Sequence, residues 1–166
     1  TYSLEIAGAT TLKGNLFLNN STDVTLGGAI NDGGAGLFIN KINTGTLWID
    51  SDTSASYSGN VFIQAGMLRF GNPRAGNNTA KLGSGLLTIN PGAEMRLTAL
   101  TNINTAANQK IDLVSTPYST AVLRTVPLTQ AEYQQILTST SNGQLALLGT
   151  QGSALDMSTI GNGRMY

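Results

Sequence analysis

Between Leu37 and Gly71 the chain falls into four short runs in which apolar and polar residues alternate, each closed by Gly, Asn, Asp or Ser. Leu37 and Ile39, Leu47 and Ile49, Val61 and Ile63, and Leu68 and Phe70 stand two residues apart. A period of two sends alternate side chains to opposite faces of a strand, so each run has one face to bury. No run can bury much alone, and each must stack on its neighbours.

The same pattern extends both ways. Leu4/Ile6, Leu16/Leu18 and Val24/Leu26 precede the central stretch, and Leu86–Ile89 and Met95/Leu97 follow it. Asn31-Asp-Gly-Gly-Ala-Gly36 reads as a turn where positive φ is tolerated. Residues 71–78 read as a longer loop in which Pro73 forbids a central strand, and Asn90-Pro-Gly92 reads as a turn. The connections vary in length and lack the two-residue Asn-Gly or Asp-Gly signal of hairpins. The expectation is therefore all-β: parallel rungs wound into a β-helix (solenoid) rather than an antiparallel sandwich. A coil of roughly 20–25 residues gives about six or seven coils, and strand spacing makes the rod about 30–35 Å long.

Beyond residue 105 the pattern changes. Ile111/Leu113 and Val122-Leu123 predict strands. Thr129-Gln-Ala-Glu132 is a capping box, flanked by Leu128 and Tyr133 as a hydrophobic staple. Tyr133, Ile136 and Leu137 share one helical face, so the spacing predicts a short inserted helix near 130–138, lying against the stack. Leu145/Leu147, Leu155/Met157 and Ile160 return to strand-like spacing.

Composition narrows the function classes. Charged residues make up 11% and net charge is zero, which leaves no basic footprint for nucleic acid. Cys and His are absent. Disulfides, thiolate metal sites, a Cys nucleophile and the commonest general base go with them. No stretch approaches the length of an apolar membrane span, so this segment is not expected to enter a membrane. Among the acids, Asp50-Ser-Asp52 is the best local cluster for calcium, yet it lacks the further ligands and the Gly of such loops. A solvated turn accounts for it better. Ser and Thr are abundant, but a nucleophile needs a base; Lys13, Lys41, Lys81 and Lys110 are scattered and no motif marks a Ser–Lys dyad. Gly33-Gly34-Ala-Gly36 precedes a strand, not the helix a phosphate cradle needs. No catalytic residue, cofactor or metal ligand is assigned.

Lys41…Gly45-Thr-Leu47, then Tyr57-Ser-Gly59, then Val61…Ala65-Gly66…Leu68…Gly71 resembles the autotransporter-associated β-strand repeat, or passenger-associated transport repeat. The likeness is strongest over 36–71, weaker over 12–35 and 82–98, and lost beyond 105. Thr44, Ser56 and the pair Asn60-Val61 depart from its usual wording. The resemblance implies a right-handed parallel β-helix in a large bacterial surface or secreted protein, with no catalytic residue. The absence of Cys fits a passenger that crosses membranes unfolded. In that setting the sequons at Asn20 and Asn77 carry no meaning. The chain opens on Thr1 and stops at Arg164-Met-Tyr166, mid-pattern. It is expected to be one β-helix segment over 1–166 of a longer chain, repeat-like over 12–98 and divergent over 105–166, with neither end capped.

If the paired apolar residues point inward, then Phe17, Phe38, Trp48 and Phe62 between them point outward. Four large apolar side chains outside the stack are the candidate interface, since a contiguous apolar patch marks a contact surface. The expected role is a non-catalytic rod for adhesion, display or self-assembly at the cell surface or outside the cell. Its expected partners are other copies, neighbouring domains, or a surface glycan or host ligand. Two alternatives remain open at this point: a carbohydrate-binding or polysaccharide-cleaving β-helix, and a trimeric viral fibre or tailspike segment.

Overall fold

The computed structural model describes residues 3–71, 79–150, 152 and 154–160. The first coil holds strands β1 (Leu4–Ile6), β2 (Thr10–Thr11) and β3 (Leu16–Asn19). The second holds β4 (Val24–Leu26), β5 (Ile30–Asn31) and β6 (Ile39–Ile42). Then come β7 (Thr46–Ile49) with β8 (Val61–Ile63), β9 (Met67–Phe70) with β10 (Leu87–Ile89), and β11 (Glu94–Leu97) with β12 (Ile111–Leu113). A hairpin, β13 (Ser115–Thr116) and β14 (Ser119–Thr120), leads into β15 (Val122–Thr125), helix α1 (Gln130–Ile136) and β16 (Gln144–Leu147).

One seven-stranded sheet runs β1-β4-β7-β9-β11-β15-β16, and a second, five-stranded, runs β3-β6-β8-β10-β12. Every pairing in both sheets is parallel. The chain is a β-solenoid of about six turns. A third side is marked by β2–β5 and, further along, by a single parallel bridge between Asp52 and Lys81.

The core is built by register. Leu4, Val24, Leu47, Leu68, Met95, Leu123 and Leu145 succeed one another along the first sheet. Leu16, Ile39, Val61, Leu87 and Ile111 do the same along the second. From Leu47 to Leu123, and from Ile39 to Ile111, these positions are almost fully sealed from solvent. Each such aliphatic side chain contributes about 1.5–3 kcal/mol of burial. The expected column containing Leu47, Val61 and Leu68 is present in one core cluster.

Three details differ from the sequence expectation. The inward pair of β6 is Ile39 and Lys41, with Leu37 before the strand and only partly buried. Lys41 stands in a core column between Leu18 and Ile63. Its fully buried ammonium stem can be tolerated because Nζ donates to the carbonyl oxygens of Ile42 and Ala65, each at 3.2 Å, and of Asn43. Strand spacing at Leu155/Met157 gives a 3-10 turn over Met157–Thr159 instead, because Asp156 caps it through the Ser158 amide. Residues 115–120 form an antiparallel hairpin, which the varied connections did not announce.

The helix forms as expected over Gln130–Ile136, with both arms of the capping box made: Thr129 Oγ1 accepts from the Glu132 amide, and Glu132 Oε2 accepts from the Thr129 amide. It is not an appendage. It spans the corner between β15 and Leu137, which bridges in parallel to Ile111 of the second sheet. The Pro73 loop and the strand expected at the C-terminus lie outside the described residues.

Turn chemistry follows the sequence. Ala93 donates to the Asn90 carbonyl at 3.0 Å across Pro91 and Gly92, and Gly92 has φ +83°. This is the geometry in which Pro precedes a positive-φ Gly.

Candidate functional site

The candidate interface residues do not form one patch of four. Phe17 lies on the outer row of the second sheet, opposite Asn40, which lies opposite Phe62. Phe38 precedes β6, and its ring fills the gap between the other two. The Phe17 and Phe38 rings meet edge to face at 5.5 Å and 86°, and Phe38 and Phe62 at 5.8 Å and 82°. Such pairs add about 0.5–1.5 kcal/mol beyond their buried area. The ladder ends at Phe17, which is 58% exposed. Trp48 belongs to β7, in the other sheet. A corner of the coil separates it from the three phenylalanines, and its outward neighbours are Thr25 and Arg69.

Asparagines anchor the ladder. Asn15 Oδ1 accepts from the Phe38 amide at 3.1 Å, and Asn60 Oδ1 accepts from the Leu86 amide at 2.9 Å. These bonds join consecutive coils at the same corner, so the rings sit on a fixed backbone.

Asp32, Asp52, Glu94, Asp112, Glu132 and Asp156 are each engaged locally. Asp52 pairs with Lys81 at 3.3 Å and accepts from the Ser54 amide, so Asp50-Ser-Asp52 is an ion-paired turn. Asp112 accepts from the Thr138 and Thr140 hydroxyls, Glu94 pairs with Arg124, and Glu132 and Asp156 cap helical turns. Among the described residues no three acids converge on a point that could hold a metal. The Asn20 side chain is engaged, donating to the Thr22 and Thr46 carbonyls.

A depression of about 330 Å³ lies between the 31–34 and 54–58 turns, with Asp32 at its wall. Sequence reasoning did not single out Asp32, because nothing local marks it as buried. Burial pushes its carboxyl up, but hydrogen bonds from Ser58 and Gly34 outweigh this and hold it below the usual carboxylate range. Oδ1 accepts from the Gly34 amide, and Oδ2 from the Ser58 amide and hydroxyl. The carboxylate ties one coil to the next, and no histidine exists to make Ser58 a nucleophile.

No protein-family model matches the chain, nor does any curated protein or solved structure.

Proposed function

We propose that this β-solenoid is a non-catalytic rod within an extracellular or surface protein of a bacterium, and that it associates with other copies through its aromatic ladder. One observation carries the reading: three phenylalanines are kept in contact on the outside of a stack whose interior column is already filled. The ring contacts steady the ladder within one chain but leave Phe17 largely exposed, and a second copy can bury it face to face. The same row carries Asn40 and Thr88 beside the rings, and the chain has zero net charge, so copies do not repel. The scattered, locally engaged acids support a structural rather than a hydrolytic role. The resemblance of residues 36–71 to the passenger repeat supports a bacterial surface setting.

Sedimentation of the wild-type chain and of a Phe17→Ser/Phe38→Ser variant tests this. The wild type is expected to associate with rising concentration, and the variant to stay monomeric with its fold intact. A wild type that is monomeric throughout removes the self-association claim. A discrete trimer indifferent to the variant favours the fibre alternative, and release of sugar ends from a polysaccharide overturns the non-catalytic claim.

A further inference from the structure

The outer row of the seven-stranded sheet reads Glu5, Thr25, Trp48, Arg69, Arg96, Arg124 and Ala146, each directly opposite the next. Three of the chain's nine basic residues therefore stand on consecutive rungs, about 4.8 Å apart. Like charges in that position destabilise a sheet. Only one is neutralised: Arg124 Nε donates to Glu94 Oε1 at 2.8 Å. Arg96, in the middle, has no ion pair among the described residues. Arg69 lies on the Trp48 ring at 4.9 Å, and its Nε is buried without a hydrogen-bond partner. Burial, and next the Arg96 guanidinium, draw Arg69 below its ordinary pKa, against the opposing pull of Glu94 and Asp23. The fold alone is better served by uncharged side chains here, as at Thr25 or at Thr88 on the other sheet.

We propose that this row binds an acidic polysaccharide lengthwise. Successive carboxylate or sulfate groups lie on Arg69, Arg96 and Arg124, and a sugar ring rests against the half-buried Trp48. A guanidinium fork matches a planar carboxylate or a sulfate through paired N–H donors. The strands hold the three guanidinium-bearing rungs in line before binding, so little ordering is left to do. Nucleic acid fits less well. The row is one residue wide, flanked by Thr46, Met67, Glu94, Val122 and Gln144, with Glu94 already turned onto Arg124, whereas duplex binding takes many phosphate contacts over a broad basic surface. Single strands need a series of stacking aromatics, and only Trp48 is present in this row.

The inference deepens the adhesive part of the rod reading by naming a ligand class, and it is independent of the phenylalanine ladder. The test uses the full chain with polygalacturonate and heparin as probes, neutral dextran as control, and Arg96→Gln and Phe17→Ser as variants. Binding to at least one polyanion, weakened by salt, and none to dextran is expected; which probe wins separates carboxylate from sulfate recognition. Arg96→Gln is expected to bind about tenfold more weakly, with a melting temperature equal to or above wild type because repulsion is relieved. Phe17→Ser is expected to bind like wild type, so failure of self-association and failure of glycan binding are read separately. No binding to either polyanion at low salt overturns the proposal. So does an Arg96→Gln variant that binds as tightly as wild type, or tighter binding of DNA by the same row.

Discussion

At the scale of single residues, the glycines and the lysine of the central stretch have physical reasons to be there. A Cβ added at Gly59 would stand 1.9 Å from the Leu37 carbonyl oxygen on the coil before it. At Gly66, which also has φ +74°, it would stand 2.3 Å from the Gly45 carbonyl oxygen. Consecutive coils touch backbone to backbone at these corners. Gly59→Ala is therefore expected to destabilise the protein by about 3 kcal/mol or more, as read by urea denaturation. Gly14→Ala, where a Cβ meets nothing within 4 Å and no positive φ is required, is expected to change stability little.

Lys41 makes a pH prediction. Burial pulls its ammonium down to about 8 from 10.5, against the three carbonyl oxygens that favour the charge. Between those values the unfolded chain binds more protons than the folded one, so stability rises with pH from about 8 towards 10, by up to about 3 kcal/mol. Burial raises the Tyr57 hydroxyl well above its usual 10.0. Above that value the unfolded chain releases a proton that the fold retains, and stability falls again. Unfolding measured across this range is expected to show a maximum near pH 10, and Lys41→Met to abolish the rising limb. That Lys41 lies inside the core was not legible in the sequence, because a lone Lys at an alternating position reads as a solvated turn neighbour until the coil above closes over it.

At the scale of elements, α1 separates what local chemistry does from what packing does. Seven residues are too few to hold a helix in water alone. Its cap sets where it starts; the fully buried Tyr133 and Ile136 supply the reason it stays. Thr129→Ala is expected to cost about 1 kcal/mol, and Tyr133→Ala about 3–5 kcal/mol, both read from thermal or urea melts. The helix was legible because the capping box and staple are written in adjacent residues. Its position in the winding was not, since that depends on Leu137 meeting Ile111, which lies a full coil earlier. The β13–β14 hairpin escaped for a related reason. Thr116-Pro-Tyr-Ser119 has none of the usual two-residue turn pairs, and the Thr116 hydroxyl, accepting from the Ser119 amide at 3.1 Å, holds it closed. Tyr118 at its tip is 97% exposed.

At the scale of the whole molecule, each coil contacts only those beside it, so stability is a sum of neighbouring layers. Leu68→Ala, in a sealed central layer, is expected to cost about 2–5 kcal/mol. Leu4→Ala, on the outermost strand of the same sheet with Leu4 57% exposed, is expected to stay within about 0.5 kcal/mol. Amide exchange is expected to follow the same gradient, fastest in β1 and slowest in β7 and β9.

The amino-acid sequence by itself determined which aliphatic side chains face in along most strands, Lys41 in β6 being the exception, because a strand's period of two is a property of adjacent residues. It also determined where the helix begins and where the Asn90–Gly92 turn falls. Only the tertiary structure decided who stands beside whom. Lateral neighbours in a solenoid lie a whole coil apart, and the coils here differ in length, so register cannot be counted from a fixed repeat. That is why four outward aromatics separate into a ladder of three and a lone Trp48. It is also why Arg69, Arg96 and Arg124, scattered along the chain, line up on one face.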